Sequence, residues 1–188
     1  MSEPIKKPNH TPESYSPVKP EIMSMVEVLQ NYMRAEESKT PMTLQVVEMK
    51  PFTFVGKTYE NWLENGISGF WDEAHGSGFA GNLYSLQDNF RDFGLFFKDG
   101  RYMIGIEEPQ KDYSQYNLDK SDIPISKWVI AYGKFQEPGV STHEGWSFID
   151  DYIKSNEIQI NEDIPVIEKY PDGAEPLDQT YLLMKAIF

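Results

Sequence analysis

Residues 128–188 read WVIAYGKFQEPGVSTHEGWSFIDDYIKSNEIQINEDIPVIEKYPDGAEPLDQTYLLMKAIF. WVIAYGKF (128–135) is a β-branched and aromatic run of strand length. In THEGWSFIDDYIKS (142–155) the period changes, and Trp146, Ile149, Tyr152 and Ile153 fall on one helical face. Thr142 is placed to cap that helix, and Glu144 suits the positive end of its dipole. PVIEKYP (165–171) and TYLLMKAIF (180–188) return to strand. The order is strand, helix, strand, strand.

Working back towards the N-terminus, the same order recurs with little identity of sequence. MTLQVVEMKPFTFVGKTYE (42–60) alternates as one long bent strand, with a bulge or edge near Pro51. GISGFWDEAHG (66–76) is a short helix, with Ser68 as its cap and Phe70, Trp71 and Ala74 facing inward. A looser Gly-rich, aromatic stretch follows. FGLFF (93–97) and RYMIGIEEP (101–109) are strands joined by a tight KDG turn at 98–100, and 110–124 is a polar linker. Two such units predict an α+β fold: a pseudo-two-fold duplication of a strand–helix–strand–strand unit, forming one curved antiparallel sheet with two helices and a groove where the halves meet.

Residues 1–40 are expected to stand apart from the domain at 41–188. Prolines at 4, 8, 12, 17 and 20 forbid a helix or central strand there. Ile22, Met25, Val26, Leu29 and Met33 then recur at helical spacing, giving one amphipathic helix over 21–37. That helix either packs on the domain or serves a protein partner.

Composition excludes several functions. The 188 residues carry 17 Lys plus Arg against 30 Asp plus Glu, a net charge of -13. From Pro41 on there are 12 basic and 24 acidic residues, with no local basic patch. Such a chain repels nucleic acid and anionic membranes. It has no cysteine, hence no disulfide, thiolate nucleophile or Cys-built metal site. No apolar signal region and no membrane-length apolar run is present, so a cytoplasmic protein is expected.

The usual motifs fail on context. Gly76, Gly78 and Gly81 spell G-x-G-x-x-G, but after a helix rather than a strand. His10, His75 and His143 are far apart, and His143-Glu144 does not continue as H-E-x-x-H. Neither a calcium-loop spacing nor a G-x-S-x-G elbow occurs. No metal and no cofactor is expected.

Acidic and aromatic residues together carry the stronger signal. Glu168 interrupts the apolar strand VIEKY, where alternation puts Val166, Glu168 and Tyr170 on one face and Ile167 and Lys169 on the other. Glu168 is either a solvent residue of an edge strand or the floor of an aromatic site. Trp71, Tyr102, Trp128, Tyr132, Trp146 and Tyr170 are candidate walls, and Glu107 and Glu108 can ring the same site. A buried carboxylate invites a bound cation, to which aromatic faces add attraction. The same group can instead act as a general acid or base.

The chain resembles the GyrI-like small-molecule-binding family, found also as the effector-binding domain of AraC-type and MerR-type multidrug-responsive regulators. The resemblance covers about 41–188. It rests on TLQVVEMKPFTFVGKTYE, ISGFWDEA, RYMIGIEE, IPISKWVIAYGKF, FIDDYI, EDIPVIEKYPDGAE and YLLMKAI in that order. It implies two strand–helix–strand–strand units with a central groove for hydrophobic cations or other aromatic compounds. The family's E-x-Y segment falls on Glu168 and Tyr170, and Trp128 and Tyr132 would lie near the groove. The family's uses include ligand sensing, inhibition of DNA gyrase and hydrolysis of strained electrophiles through the groove glutamate. Residues 1–40 hold no helix-turn-helix, so a stand-alone small-molecule binder is the leading expectation. A hydrolase using Glu168 and a protein-directed regulator such as a gyrase inhibitor are the alternatives.

Overall fold

Ser24 and Glu27 set where the first helix begins. The Ser24 backbone N–H and hydroxyl both donate to the Glu27 carboxylate at 2.7 Å, and the Glu27 N–H donates back to the Ser24 hydroxyl oxygen. This reciprocal capping box leaves Ile22–Met23 as a short strand, β1, and starts α1 at Met25–Ser38. The computed structural model describes residues 22–38, 41–87, 92–134, 142–169 and 180–188. The proline-rich segment before residue 22 lies outside them. The buried stripe of α1 is Met25, Val28, Leu29, Tyr32 and Ala35, while Ile22 and Val26 are exposed. The expected amphipathic face is therefore rotated, because the cap excludes Ile22 from the helix.

The long bent strand expected over 42–60 is two strands, β2 (Thr43–Met49) and β3 (Phe52–Tyr59). Pro51 has no N–H to give a ladder, and the chain crosses there to the other end of the sheet. Next come three helices, α2 (Trp62–Asn65), α3 (Ser68–Gly76) and α4 (Phe79–Leu86). Ser68 lies inside the first turn of α3 rather than capping it, since the cap position belongs to Ile67. Gly78, with φ +79°, ends α3 and opens α4. The G-x-G-x-x-G glycines thus belong to a helix–helix corner, with no strand leading into them.

The hairpin β4 (Phe93–Phe96) and β5 (Tyr102–Glu107) is as expected, with Gly100 at φ +88° in its turn. The polar linker contains a 3-10 turn at Ser114–Tyr116 and a strand, β6 (Asp119–Ile123). The last unit is β7 (Ser126–Lys134), α5 (Thr142–Ser155), β8 (Val166–Lys169) and β9 (Thr180–Ile187). The side chains of Thr142 and Glu144 lie outside the described residues.

The nine strands among the described residues form one sheet in the order β1-β2-β7-β9-β8-β4-β5-β3-β6, antiparallel except for β1 on β2. Only two residues join β2 to β3, and two join β6 to β7. Each pair spans six strand positions, about 29 Å in a flat sheet at ~4.8 Å per strand. The sheet must therefore curl. Phe52 of β3 and Trp128 of β7 meet at 6.0 Å between ring centroids, which makes their face the concave one. There α1 packs on β7 and β9, and a single core joins Met25, Leu29 and Tyr32 to Trp128, Ile130, Ile167, Leu182 and Met184. The other face carries two separate apolar clusters. In one, Ile149 and Ile153 of α5 pack with Val129, Ala131 and Leu183. In the other, Ala74, Leu83 and Leu86 of α3 and α4 pack with Val55, Tyr102 and Ile104.

Candidate functional site

Glu168 lies between those two clusters. In β8 it pairs with Gly94 of β4 on one side and Leu183 of β9 on the other. It is 4% exposed. Its neighbours point the opposite way, as alternation requires: Ile167 enters the concave core, and the Lys169 ammonium lies 4.9 Å from the ring centroid of Tyr32. Tyr170 lies outside the described residues.

Trp146, one turn into α5, donates its indole N–H to the Glu168 carboxylate. A buried carboxylate that has lost its hydration needs such donors. Tyr181 follows the alternation of β9 onto the same face as Leu183. Burial, and secondarily the Glu168 charge, raise its phenol above the usual range.

Tyr102 reaches the site from β5. Its hydroxyl lies against the backbone of Gly94, where a Cβ would come within 2.2 Å of the hydroxyl oxygen. Gly94 is the direct cross-strand partner of Glu168, so the hydroxyl rests on the strand next to β8, whose backbone is roughly 5 Å from that of Glu168 across the ladder. Trp71 of α3 donates its indole N–H to that hydroxyl at 3.0 Å. Each half of the sheet thus supplies a tryptophan from a helix, its N–H held by an oxygen from a strand. Gly94→Ala is expected to push Tyr102 off the seam, costing about 1 kcal/mol of overpacking and shifting the Trp71 emission. Urea unfolding followed by tryptophan fluorescence checks both.

Four sequence candidates are not brought to Glu168. Trp128 and Tyr132 share the concave face with α1, on the opposite side of the sheet. Trp128 is wholly buried there, and its indole N–H has no hydrogen-bond partner among the described residues. Glu107 has the same parity as Met103, which also enters the concave core. Glu108 accepts from Lys120 at 2.5 Å and from the Tyr113 hydroxyl, which hold its carboxyl below the usual range. It ties the 110–118 connection to β6 and stands apart from the seam. Conversely, sequence reasoning missed Gly94, Tyr181 and Lys185. A glycine inside an apolar strand marks a close approach, and Lys185 is the sole charge in YLLMKAIF.

Two surface clefts, of about 300 and 350 Å³, lie at the sheet corner by Glu48, Lys127 and Phe188 and beside Pro51, Asp122 and Pro124. Neither is lined by Glu168. Glu168 and the rings of Trp146, Trp71 and Tyr102 lie instead on the sheet face that carries α3, α4 and α5. Among the described residues no group of three or more His, Asp or Glu could hold a metal ion, and no helix is long and apolar enough to cross a membrane.

No protein-family model and no curated protein matches the sequence. Solved structures do. SAV2435 bound to tetraphenylphosphonium is 20% identical with a TM-score of 0.62, covering 78% of this chain and 94% of its own. A Staphylococcus aureus MU50 protein described as a bacterial transcription regulation protein is 20% identical with a TM-score of 0.56, covering 78% and 98%. A hydrolase encoded by lin2189 of Listeria innocua is 5% identical with a TM-score of 0.54, covering 89% and 100%. At these identities the likeness is one of fold: the chain has a GyrI-like, effector-binding type of α+β fold.

Proposed function

We propose that this protein binds a hydrophobic aromatic ligand, cationic by preference, at the seam between β4 and β8. The observation that carries the reading is Glu168, a carboxylate buried among oriented aromatic side chains. Glu168 is the floor; Trp146, Trp71, Tyr102 and Tyr181 are the walls. Tyr170, two residues on in the sequence, completes the E-x-Y pair that the family resemblance implies. Trp128 and Tyr132 drop out of the site, since the sheet separates them from it.

The fold behind this reading is a duplication. One unit is β3, helices, β4, β5, and the other is β7, α5, β8, β9. In the sheet they run β3-β5-β4 and β8-β9-β7, mirror orders that meet at the β4–β8 pair. A pseudo-two-fold axis through that pair sets the α3–α4 and α5 layers on either side of a central groove, with Glu168 at its base. Residues 41–188 form the ligand-binding unit, and α1 is an addition that fills the concave side. A cytoplasmic receptor that requires no cofactor and touches neither DNA nor membrane fits the charge of -13.

SAV2435 was captured with tetraphenylphosphonium, whose buried charge and four phenyl arms suit a carboxylate ringed by aromatics. Isothermal titration of the protein with tetraphenylphosphonium and a panel of hydrophobic cationic dyes is the test. Saturable heat supports the reading, and no binding across the panel overturns it. Heat that continues as turnover, with product formed, replaces the binder by a hydrolase acting through Glu168.

A further inference from the structure

Lys185 stands on β9 two residues beyond Leu183, with its side chain 14% exposed. Its ammonium is ion-paired with Asp150 and lies 5.3 Å from the centroid of the Trp146 ring. Asp150 follows Trp146 by four residues on α5, so both occupy one flank of that helix. The indole N–H of Trp146 is donated in turn to Glu168. Asp150, Lys185, Trp146 and Glu168 therefore form a continuous chain from solvent to the buried carboxylate.

We propose that Lys185, held by Asp150, is a positioning residue for the ligand site. It contacts no ligand. It covers one face of the Trp146 indole while Glu168 holds the N–H, and a ring fixed at both places has one orientation. An indole with a free face turns about its side-chain torsions, and its hydrogen bond to Glu168 turns with it. Two features favour this role over a direct charge effect. Asp150 offsets the ammonium, so the pair carries no net charge to repel a cation. The side chain is also mostly buried against the ring, where a lysine free to meet solvent would extend outward. For ligand binding, the proposal rests on the seam being the ligand site.

The test uses full-length protein in four forms: wild type, Lys185→Ala, Lys185→Arg and Asp150→Asn. Each is paired with its Trp146→Phe counterpart, so that the difference isolates the Trp146 emission. Without ligand, Lys185→Ala is expected to shift that emission to the red and raise its quenching by acrylamide, while Lys185→Arg keeps the wild-type signal. With tetraphenylphosphonium, Lys185→Ala is expected to bind about fivefold more weakly. Lys185→Arg stays near wild type, and Asp150→Asn falls between. Rescue by arginine at an unchanged melting temperature separates positioning from general destabilisation. An unaltered Trp146 signal in Lys185→Ala, or binding as tight as wild type, overturns the proposal. If wild type does not bind but the Trp146 signal still shifts in Lys185→Ala, the clamp on Trp146 is upheld and the ligand reading is refuted.

Discussion

Glu168→Gln is expected to weaken binding of tetraphenylphosphonium by at least about tenfold, a loss of ~1.4 kcal/mol or more. The substitution preserves shape. The glutamine carbonyl can still accept the Trp146 N–H that the carboxylate accepts now, so the walls need not rearrange. What disappears is the negative charge, in a site where water is excluded and charge interactions are screened little. Breaking a buried charge pair at an interface costs about 2–5 kcal/mol, so tenfold is the floor of the effect. The unbound protein should lose no stability, because an amide is cheaper to bury than a carboxylate. A neutral aromatic ligand of similar size should be indifferent to the change. Isothermal titration of both ligands against both proteins reads all of this. Equal losses for the two ligands would mean that the substitution disturbs the pocket, and no loss for the cation would remove Glu168 from the site.

The second half of the chain was legible because its periods are clean. Trp146, Ile149, Tyr152 and Ile153 declare a helix, and α5 runs from Thr142 to Ser155 as expected. The first half hides more. FAGNLYSL (79–86) has Gly81 in its middle and reads as loop, yet burial of Ala80, Leu83 and Leu86 makes it helix α4. DKSDI (119–123) has no apolar alternation because β6 is an edge strand, and charge on an edge discourages pairing with other chains. Across Pro51 the alternation of β2 continues into β3, so period alone cannot tell that the strands lie at opposite ends of the sheet.

The site was half legible for a related reason. Alternation gives the parity of a side chain within its own strand, and it correctly separated Glu168 from Ile167 and Lys169. Parity between strands depends on register. Trp128 lies opposite Ala186, whereas Glu168 lies opposite Leu183, an odd separation on β9 that places the two on different faces. No pattern within WVIAYGKF contains that information. Tyr102 came through because Trp71 and Gly94 assemble around it, and only the fold brings residues 71, 94 and 102 to one point.

Removing residues 1–38 is expected to cost the protein its cooperative fold. The sequence divides the chain near residue 40, but the concave core does not observe that division. Met25, Val28, Leu29 and Tyr32 are buried in it against Trp128, Ile130 and Met184. At roughly 1.5–3 kcal/mol for each large apolar side chain, as an upper bound, their burial contributes about 6–12 kcal/mol. That is comparable with the whole stability of an ordinary domain, about 5–15 kcal/mol. The truncated chain would also uncover Lys169 from beneath Tyr32 and leave the apolar face of a curled sheet in water. Urea unfolding should be cooperative for the full chain. For 39–188 it should be broad or absent, with the protein binding a hydrophobic dye before any denaturant is added. Leu29→Ala is the milder version, expected to cost about 2–5 kcal/mol. A truncated chain that unfolds with the full-length midpoint would show that α1 rests on the sheet without holding it. The apolar face of α1 would then be available to a protein partner; if truncation unfolds the domain, that face is already committed to the core, and a partner could engage only the exposed side of the helix around Val26.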